Sequence, residues 1–427
     1  MRNNKPIQVF EHQKLPLKDG IFEKHHWEAL AWYNAIHGEK FFTLLPNGIK
    51  LNQYVGVIQV GNLTIEVLPK IGEENENNDK TLWQKVLIDM LRECHWMKLY
   101  AKEKASLRFK PNSILEAYLE IFINECETLV RQGLVKKYRA TTKNSTALKG
   151  KLLFAHQIQL NSIHKERFYT RHQIFDHENI FNQILIKALR LVPLLSQSPY
   201  LQDKVSSLLL LFPEICDAEV NESTFEKLIY DRKTIRYKEA IEVAAMLLLN
   251  YRPDIITGQN HVLAILFNMN DLWEEYIFRQ LYRHKSGNFH IKPQNKKPFW
   301  KLDFSQSYKT IRPDIVIHDE LTNSRIILDT KWKIPDNNVP SDDDLKQMFV
   351  YNEYWGGKHA LLVYPNQSEN EQLLYLGGEF VKQEDERLRH KCGILKVAIL
   401  DKITNKLDNT LGLQINNFLN QNIFNEA

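Results

Sequence analysis

The sequence holds little of what would mark a secreted, membrane-bound or disordered chain. Its four cysteines, Cys94, Cys126, Cys216 and Cys392, stand far apart, with no CxxC pair and no Cys/His ladder. That spacing excludes a structural zinc site and a disulfide framework. Glycine (16) and proline (15) are sparse, which leaves little room for disorder. The opening MRNNKPIQVF lacks the apolar stretch of a signal peptide, and no run of about 18 apolar residues could span a membrane. The longest, LLLLF at 208–212, suits a buried helix. A cytoplasmic protein without a membrane partner is the expectation.

Several catalytic signatures are missing too. No GxxxxGK[ST] occurs, so Gly150-Lys151 belongs to no P-loop and this chain is not expected to bind a nucleotide through one. Neither GxSxG nor HExxH appears. The fifteen histidines, among them His25, His26, His95 and His177, lack ligand spacing.

What remains is a globular composition, 43% hydrophobic and 25% charged, in a chain of 427 residues, long enough for two or three domains. The net charge of +4 says little by itself. Its distribution says more. Between Leu134 and Leu152 lie Lys136, Lys137, Arg139, Lys143, Lys149 and Lys151 with no acidic residue, and Lys292, Lys296, Lys297 and Lys301 form a second cluster. Such runs are usually solvated loops; they bind phosphate only as a contiguous patch in three dimensions.

The patterning divides the chain into three, a multidomain α+β organisation. Residues 1–75 read as a β-rich domain of hairpins, with turn signals at Asn47-Gly48 and Gly61-Asn62 and a helix around Lys24–His37. The polar GEENENNDK at 72–80 reads as a loop or hinge. Residues 76–259 are mainly helical, as in TLWQKVLIDMLRECHWM and SILEAYLEIFINECETLVRQG, where Gly133 marks a stop. A β-like interval, LVKKYRATTKNSTALKGKLLF, interrupts them. From 260 to 427 a long amphipathic helix, VLAILFNMNDLWEEYIFRQLYRHK, leads to β-type runs at PFWKLDFSQ, IRPDIVIH and SRIILDTKWK. A helix, DDDLKQMFVYNEYW, then HALLVYP and GILKVAIL complete a mixed α/β core.

The third region carries the chemistry. Asp314 lies in the strand IRPDIVIH, and fifteen positions later Asp329 ends the apolar run Ile326-Ile327-Leu328, with Lys331 two residues on. Alternation puts Asp329 and Lys331 on one strand face and Thr330 on the other. Adjacent strands can therefore bring Asp314, Asp329 and Lys331 together. Carboxylates that hold Mg²⁺ (or Mn²⁺) and a lysine that orients water or stabilises a pentavalent phosphate are the requirements of phosphodiester hydrolysis. The Asp…Asp-x-Lys pattern resembles the PD-(D/E)xK nuclease superfamily. An internal control exists: Arg252-Pro253-Asp254-Ile255 repeats Arg312-Pro313-Asp314-Ile315, yet no Asp-x-Lys or Glu-x-Lys follows it within thirty residues.

That resemblance implies further site residues. Glu274, in LWEEY, is the expected additional metal carboxylate, with Glu275 its competitor. Gln347 and Tyr351, i and i+4 on one helix face, match a Gln-x-x-x-Tyr helix with the Gln near metal or phosphate. Lys333, Tyr351, Lys296 and Lys297 are candidate DNA contacts.

A closer resemblance, over roughly residues 50–365, is to the McrC family, the nuclease subunit of McrBC-type 5-methylcytosine-dependent restriction systems. VGVIQVGNLTIEVLPKIG, LVRQGLVKKYRATTKNSTALKGKLLFAHQIQLN, RFYTRHQIFDHENIFNQILIKALRL, LWEEY, RPDI and ILDTKWK carry it, in that order. The stretch from about Ser196 to Asn260 is longer than the family needs, and the tail after Pro365 matches no motif. The resemblance implies a Mg²⁺-dependent endonuclease for modified double-stranded DNA, working with and stimulating a McrB-like AAA+ GTPase ring, which docks through residues 1–75. Two alternatives stay open: a nuclease of another DNA-processing or defence pathway, and a non-catalytic GTPase-activating adaptor. A chain lacking residues 1–72 is expected to lose GTPase stimulation and partner-dependent cleavage while still binding Mg²⁺ through Asp314 and Asp329.

Overall fold

Among the described residues, alternating and continuous apolar runs settle into five sheets joined by helices. The computed structural model describes residues 6–71, 79–96, 113–196, 198–252, 261–304, 307–366, 372–381 and 387–424. Most of the GEENENNDK hinge, and Asp254 with its neighbours in the first RPDI, lie outside the described residues.

The N-terminal hairpin Tyr54–Val60/Leu63–Leu68 turns at Gly61, whose φ of 54° favours glycine. Ile7–Phe10 pairs parallel to its outer strand. On the other side the sheet continues into Val262–Asn268, antiparallel to Tyr54–Val60 over seven residue pairs, and then Tyr251–Arg252. A smaller sheet, Lys14–Pro16, Gly48–Leu51 and Phe42–Leu45, and the helix Lys24–His37 cover one face.

The long helix expected from Val262 therefore begins only at Met269. VLAIL is continuously apolar, the composition of a central strand buried on both faces, and Asn268 ends it by accepting a hydrogen bond from Asn270 N (2.9 Å), capping the helix Met269–Arg283. Gly56 makes the pairing possible. Its φ is 136°, and a Cβ there would meet Ile265 O at 2.2 Å.

Helices Lys80–Glu93, Ile114–Arg131, Ile180–Leu195, Pro199–Leu211 and Lys238–Asn250 share one core with the inner face of that sheet. Ser113 caps the second through Glu116 N (3.1 Å), and Gly133, at φ 82°, follows its end. The β-like interval expected at 134–154 is half of a larger unit. Lys137–Ser145 pairs with Phe168–Asp176 over nine residues, Lys151–Leu152 adds a short third strand, and the helix Phe154–Asn161 lies between. Most of this unit faces solvent.

The C-terminal sheet runs Phe289–Pro293, Ile315–Asp319, Ser324–Thr330, His359–Asn366, Arg387–Ala398 and Leu373–Leu376. The first three pair antiparallel, the next two contacts are parallel, and the last is antiparallel, a mixed sheet as expected. Alternate residues serve two cores. Leu328 and Ile326 pack with Trp273 and Tyr276 of the helix Met269–Arg283; Ile327 and Val316 pack with Met348 and Tyr351 of the helix Asp342–Trp355. PFWK does not join this sheet: Lys297–Lys301 pairs with Tyr308–Ile311 in a separate hairpin. Among the described residues no helix is long and apolar enough to cross a membrane.

The N-terminal sheet and the end of the C-terminal sheet are also joined directly. Glu11, buried just after the first strand, accepts hydrogen bonds from Lys70 N (2.9 Å) and the Trp332 indole (2.7 Å). Deleting residues 1–72 would strip Val262–Asn268 of its main partner and uncover Val55, Val57 and Leu68 of the shared core. The structure thus revises the truncation expectation. The shortened chain should lose its cooperative thermal transition; a sharp transition near that of the full chain would show that residues 1–72 are detachable.

Candidate active site

The antiparallel register of Ile315–Asp319 with Ser324–Thr330 matches Ile315 to Leu328. Continued by one residue, it sets Asp314 opposite Asp329. On its other side Asp314 O accepts from Gln294 N (2.8 Å), extending the pairing with Phe289–Pro293. Three neighbouring strands thus present Gln294, Asp314 and Asp329 in a row.

Asp314 Oδ2 accepts from Thr330 N (2.7 Å) and Thr330 Oγ1 (2.9 Å). Burial raises its pKa, and those bonds, with Lys331 and Arg312, oppose the rise. Asp329 is 1% exposed. Burial, then the charge of Asp314, pushes its carboxyl up to about 7 against the pull of Lys331. Lys331 Nζ lies 2.6 Å from Asp329 Oδ2. The contact is a close, charge-assisted ion pair. For Lys331 burial acts to lower the pKa, but Asp329, Asp344 and Asp314 together raise it, and the ammonium stays charged.

The helix Asp342–Trp355 closes this side. Gln347 accepts from Lys331 Nζ at Oε1 (3.2 Å) and donates from Nε2 to Tyr351 Oη (2.7 Å) and, at 3.4 Å, to Asp329 Oδ1. Tyr351 Oη donates to Arg312 O (2.8 Å), two residues before Asp314. The expected pair is therefore brought to both carboxylates by one helix face. Glu274 also arrives: its carboxyl accepts from Gln294 Nε2 (2.9 Å), and burial, then the charge of Asp314, pushes its pKa up to about 7. Glu275 faces elsewhere, bonded to Arg279 at 2.5 Å.

Asp344 is the residue that sequence reasoning missed. It is buried and reaches Lys331 Nζ at 3.5 Å and Lys333 Nζ at 2.7 Å. Burial acts to raise its pKa, but the bonds from Lys333 and Ser341 and the charge of Lys331 hold it below the ordinary value. An acidic residue in the first turn of a Ser-capped helix is common, so nothing in the sequence distinguished it. Lys333 is half exposed and tied to Asp344. Lys296 is exposed, whereas Lys297 donates to Tyr354 O (2.6 Å) at the far end of the helix, away from the carboxylates.

The donor set is all oxygen, which suits a hard divalent cation. Asp329 Oδ2, buried and paired with the Lys331 ammonium, is the oxygen that such a cation would take over. As they stand, among the described residues no three His, Cys, Asp or Glu side chains are grouped to hold a metal. Two carboxylates, with Glu274 beside them and water filling the rest, are the fit available.

Comparison with known proteins bears on this arrangement. The family described as McrBC 5-methylcytosine restriction system component matches residues 49–365. No curated protein sequence matches. A Thermococcus gammatolerans structure, a half-complex from a tetradecameric assembly of McrB AAA+ hexamers with bound McrC, aligns over 98% of this chain and 100% of its own, at 19% identity and a TM-score of 0.71. The McrBC complex of the same organism aligns over 65% of this chain and 88% of its own, at 21% identity and a TM-score of 0.50. At such identities the likeness is one of fold.

A carboxyl raised to about 7 in the fold destabilises it progressively as pH climbs from the unfolded value near 4.5 to 7, and fully above that. Glu274→Gln keeps the oxygen that Gln294 donates to. Without divalent ions it should melt roughly 2–4 °C higher than wild type at pH 8, with the gap closing towards pH 5. Paired thermal scans check this; an equal gap at both pH values would contradict the ionisation assigned to Glu274.

Proposed function

The chain belongs to the McrBC 5-methylcytosine restriction system component family, and from that premise we propose that it is the DNA-cleaving subunit of such a system. The observation that carries the reading is the register that sets Asp314 beside Asp329 with Lys331 against the second carboxylate. It supports a PD-(D/E)xK nuclease domain in the C-terminal third.

Asp314, Asp329 and Glu274 would hold Mg²⁺, with Mn²⁺ able to replace it. When bound, the ion lowers the pKa of a water and offsets charge on the scissile phosphate. The protein's own groups do the rest. Lys331, kept charged by three carboxylates, orients the water or stabilises the added negative charge on the pentavalent phosphate. Gln347 fixes Lys331 and Asp329 through the two ends of one amide. Tyr351 ties that amide to the backbone leading into Asp314. Asp344 is a positioning residue that holds Lys331 from behind.

The substrate proposed is double-stranded DNA carrying 5-methylcytosine, and the partner a McrB-like AAA+ GTPase ring. The solved relatives have McrC bound to McrB hexamers. Docking through residues 1–75 is one reading. The solvent-facing unit around Lys137–Ser145 and Phe168–Asp176 favours a second. Tyr138, Phe154, Ile158 and Ile163 are exposed there among basic residues, a surface that calls for a protein partner.

With the GTPase, Mg²⁺ and methylated plasmid, Asp314→Ala, Asp329→Ala and Lys331→Ala should each slow cleavage by at least about 100-fold while partner binding persists. Asp254→Ala, in the other RPDI, should cut like wild type. Loss of cleavage in Asp254→Ala with activity retained in Asp314→Ala would overturn the assignment. For docking, Phe154→Ser with Ile163→Ser should abolish GTPase stimulation; full stimulation would return the contact to residues 1–75.

A further inference from the structure

The chain reaches Asp314 through a hairpin that joins none of the larger sheets, Lys297–Lys301 paired with Tyr308–Ile311. Its base is fastened to the helix that carries Gln347. Lys297 donates to Tyr354 O and lies 4.9 Å from the centre of the Trp355 ring, and Phe299 meets the Tyr354 ring edge-on at 5.5 Å. Beyond that base the apolar side chains face water: Trp300 is 51% exposed, Phe304 88% and Tyr308 55%. The register sets Trp300 opposite Lys309 on one face and Tyr308 opposite Lys301, 5.1 Å from its ring, on the other, so each face pairs an exposed aromatic with a lysine.

Charge identifies what covers them. Residues 292–312 contain Lys292, Lys296, Lys297, Lys301, Lys309 and Arg312 against Asp303 alone, six positive and one negative, or +5. The whole chain carries only +4. Two copies of the chain meeting through this hairpin would set one +5 segment against another. A polyanion with stackable, flat bases satisfies both the lysines and the aromatics.

We propose that this hairpin is a wing that grips duplex DNA beside the scissile phosphate, with Lys301 and Lys309 on backbone phosphates and Trp300 and Phe304 wedged against bases in the minor groove. Because the hairpin's second strand ends at Ile311, three residues before Asp314, its grip fixes the strand to be cut relative to the carboxylates. Wedged side chains unstack base steps and bend the duplex. The inference rests on the nuclease reading and adds to it a substrate surface and a DNA distortion.

The test uses the full chain assembled with its GTPase, in the Lys331→Ala background to prevent cleavage, and a methylated duplex labelled at both ends. Lys301→Glu with Lys309→Glu should weaken binding by ~10-fold or more and reduce the slope of log affinity against log salt by about 2. Trp300→Ser with Phe304→Ser should weaken binding by ~10-fold with the salt slope unchanged, and end-to-end energy transfer should report a straighter duplex. Melting temperatures equal to the parent's exclude misfolding, and Trp300→Tyr should retain the bend. Unchanged affinity and bend in both pairs would overturn the proposal. So would a serine pair that lowers the particle mass but binds DNA normally, since the surface would then be a contact between copies. A parent complex that binds no DNA, and whose Lys331 counterpart cuts none, would overturn the nuclease reading itself.

Discussion

A buried carboxylate at the end of a strand governs the organisation of the C-terminal third. Asp329 follows three apolar residues into the space between a sheet and a helix, where an isolated charge would cost several kcal/mol or more. Its surroundings offset that cost. Lys331 supplies the opposite charge, Gln347 supplies a donor, and Asp344 supplies a second anion that keeps Lys331 charged. At Oδ2 the Lys331 ammonium is the partner, 2.6 Å away. Carboxylates crowd the site, and Asp314 still pushes the Asp329 carboxyl up, which favours a cation taking the place of Lys331.

The same strand end connects the site to the rest of the chain. Trp332, one residue past Lys331, packs tilted against Trp273 with ring centres 5.3 Å apart and donates to Glu11. Burial pushes the Glu11 carboxyl up to about 7, while Lys70 N and the Trp332 indole pull the other way. Glu11 is also hydrogen-bonded through its backbone to Leu68, at the end of the N-terminal hairpin. Glu11 thus joins the N-terminal sheet to the residue that follows Lys331.

The sequence was most legible where one period or one chemical requirement dominated. The helices Lys24–His37 and Ile114–Arg131 followed from apolar spacing and Gly133; Asp314, Asp329 and Lys331 fell together because strand alternation is unambiguous when charges end apolar runs. Glu274 was separable from Glu275 because Leu272, Trp273 and Tyr276 fix which side of that helix is buried. Val262–Asn268 was misread because a short apolar run has no period to read, and its pairing partner lies two hundred residues earlier. Asp344 was invisible because its role depends on lysines from another strand. The exposed hairpin at 297–311 looked like one more sheet strand, since β-type composition does not say which sheet a strand joins.

Whether the carboxylate row is a metal site is the claim on which the functional account turns. Crystals of the full chain grown with Mn²⁺ and measured at the manganese absorption edge address it directly. The expected result is an anomalous peak about 2.1 Å from an oxygen of both Asp314 and Asp329, with Lys331 Nζ moved off Asp329 Oδ2. No peak there, with Lys331 still held against Asp329, would contradict the account.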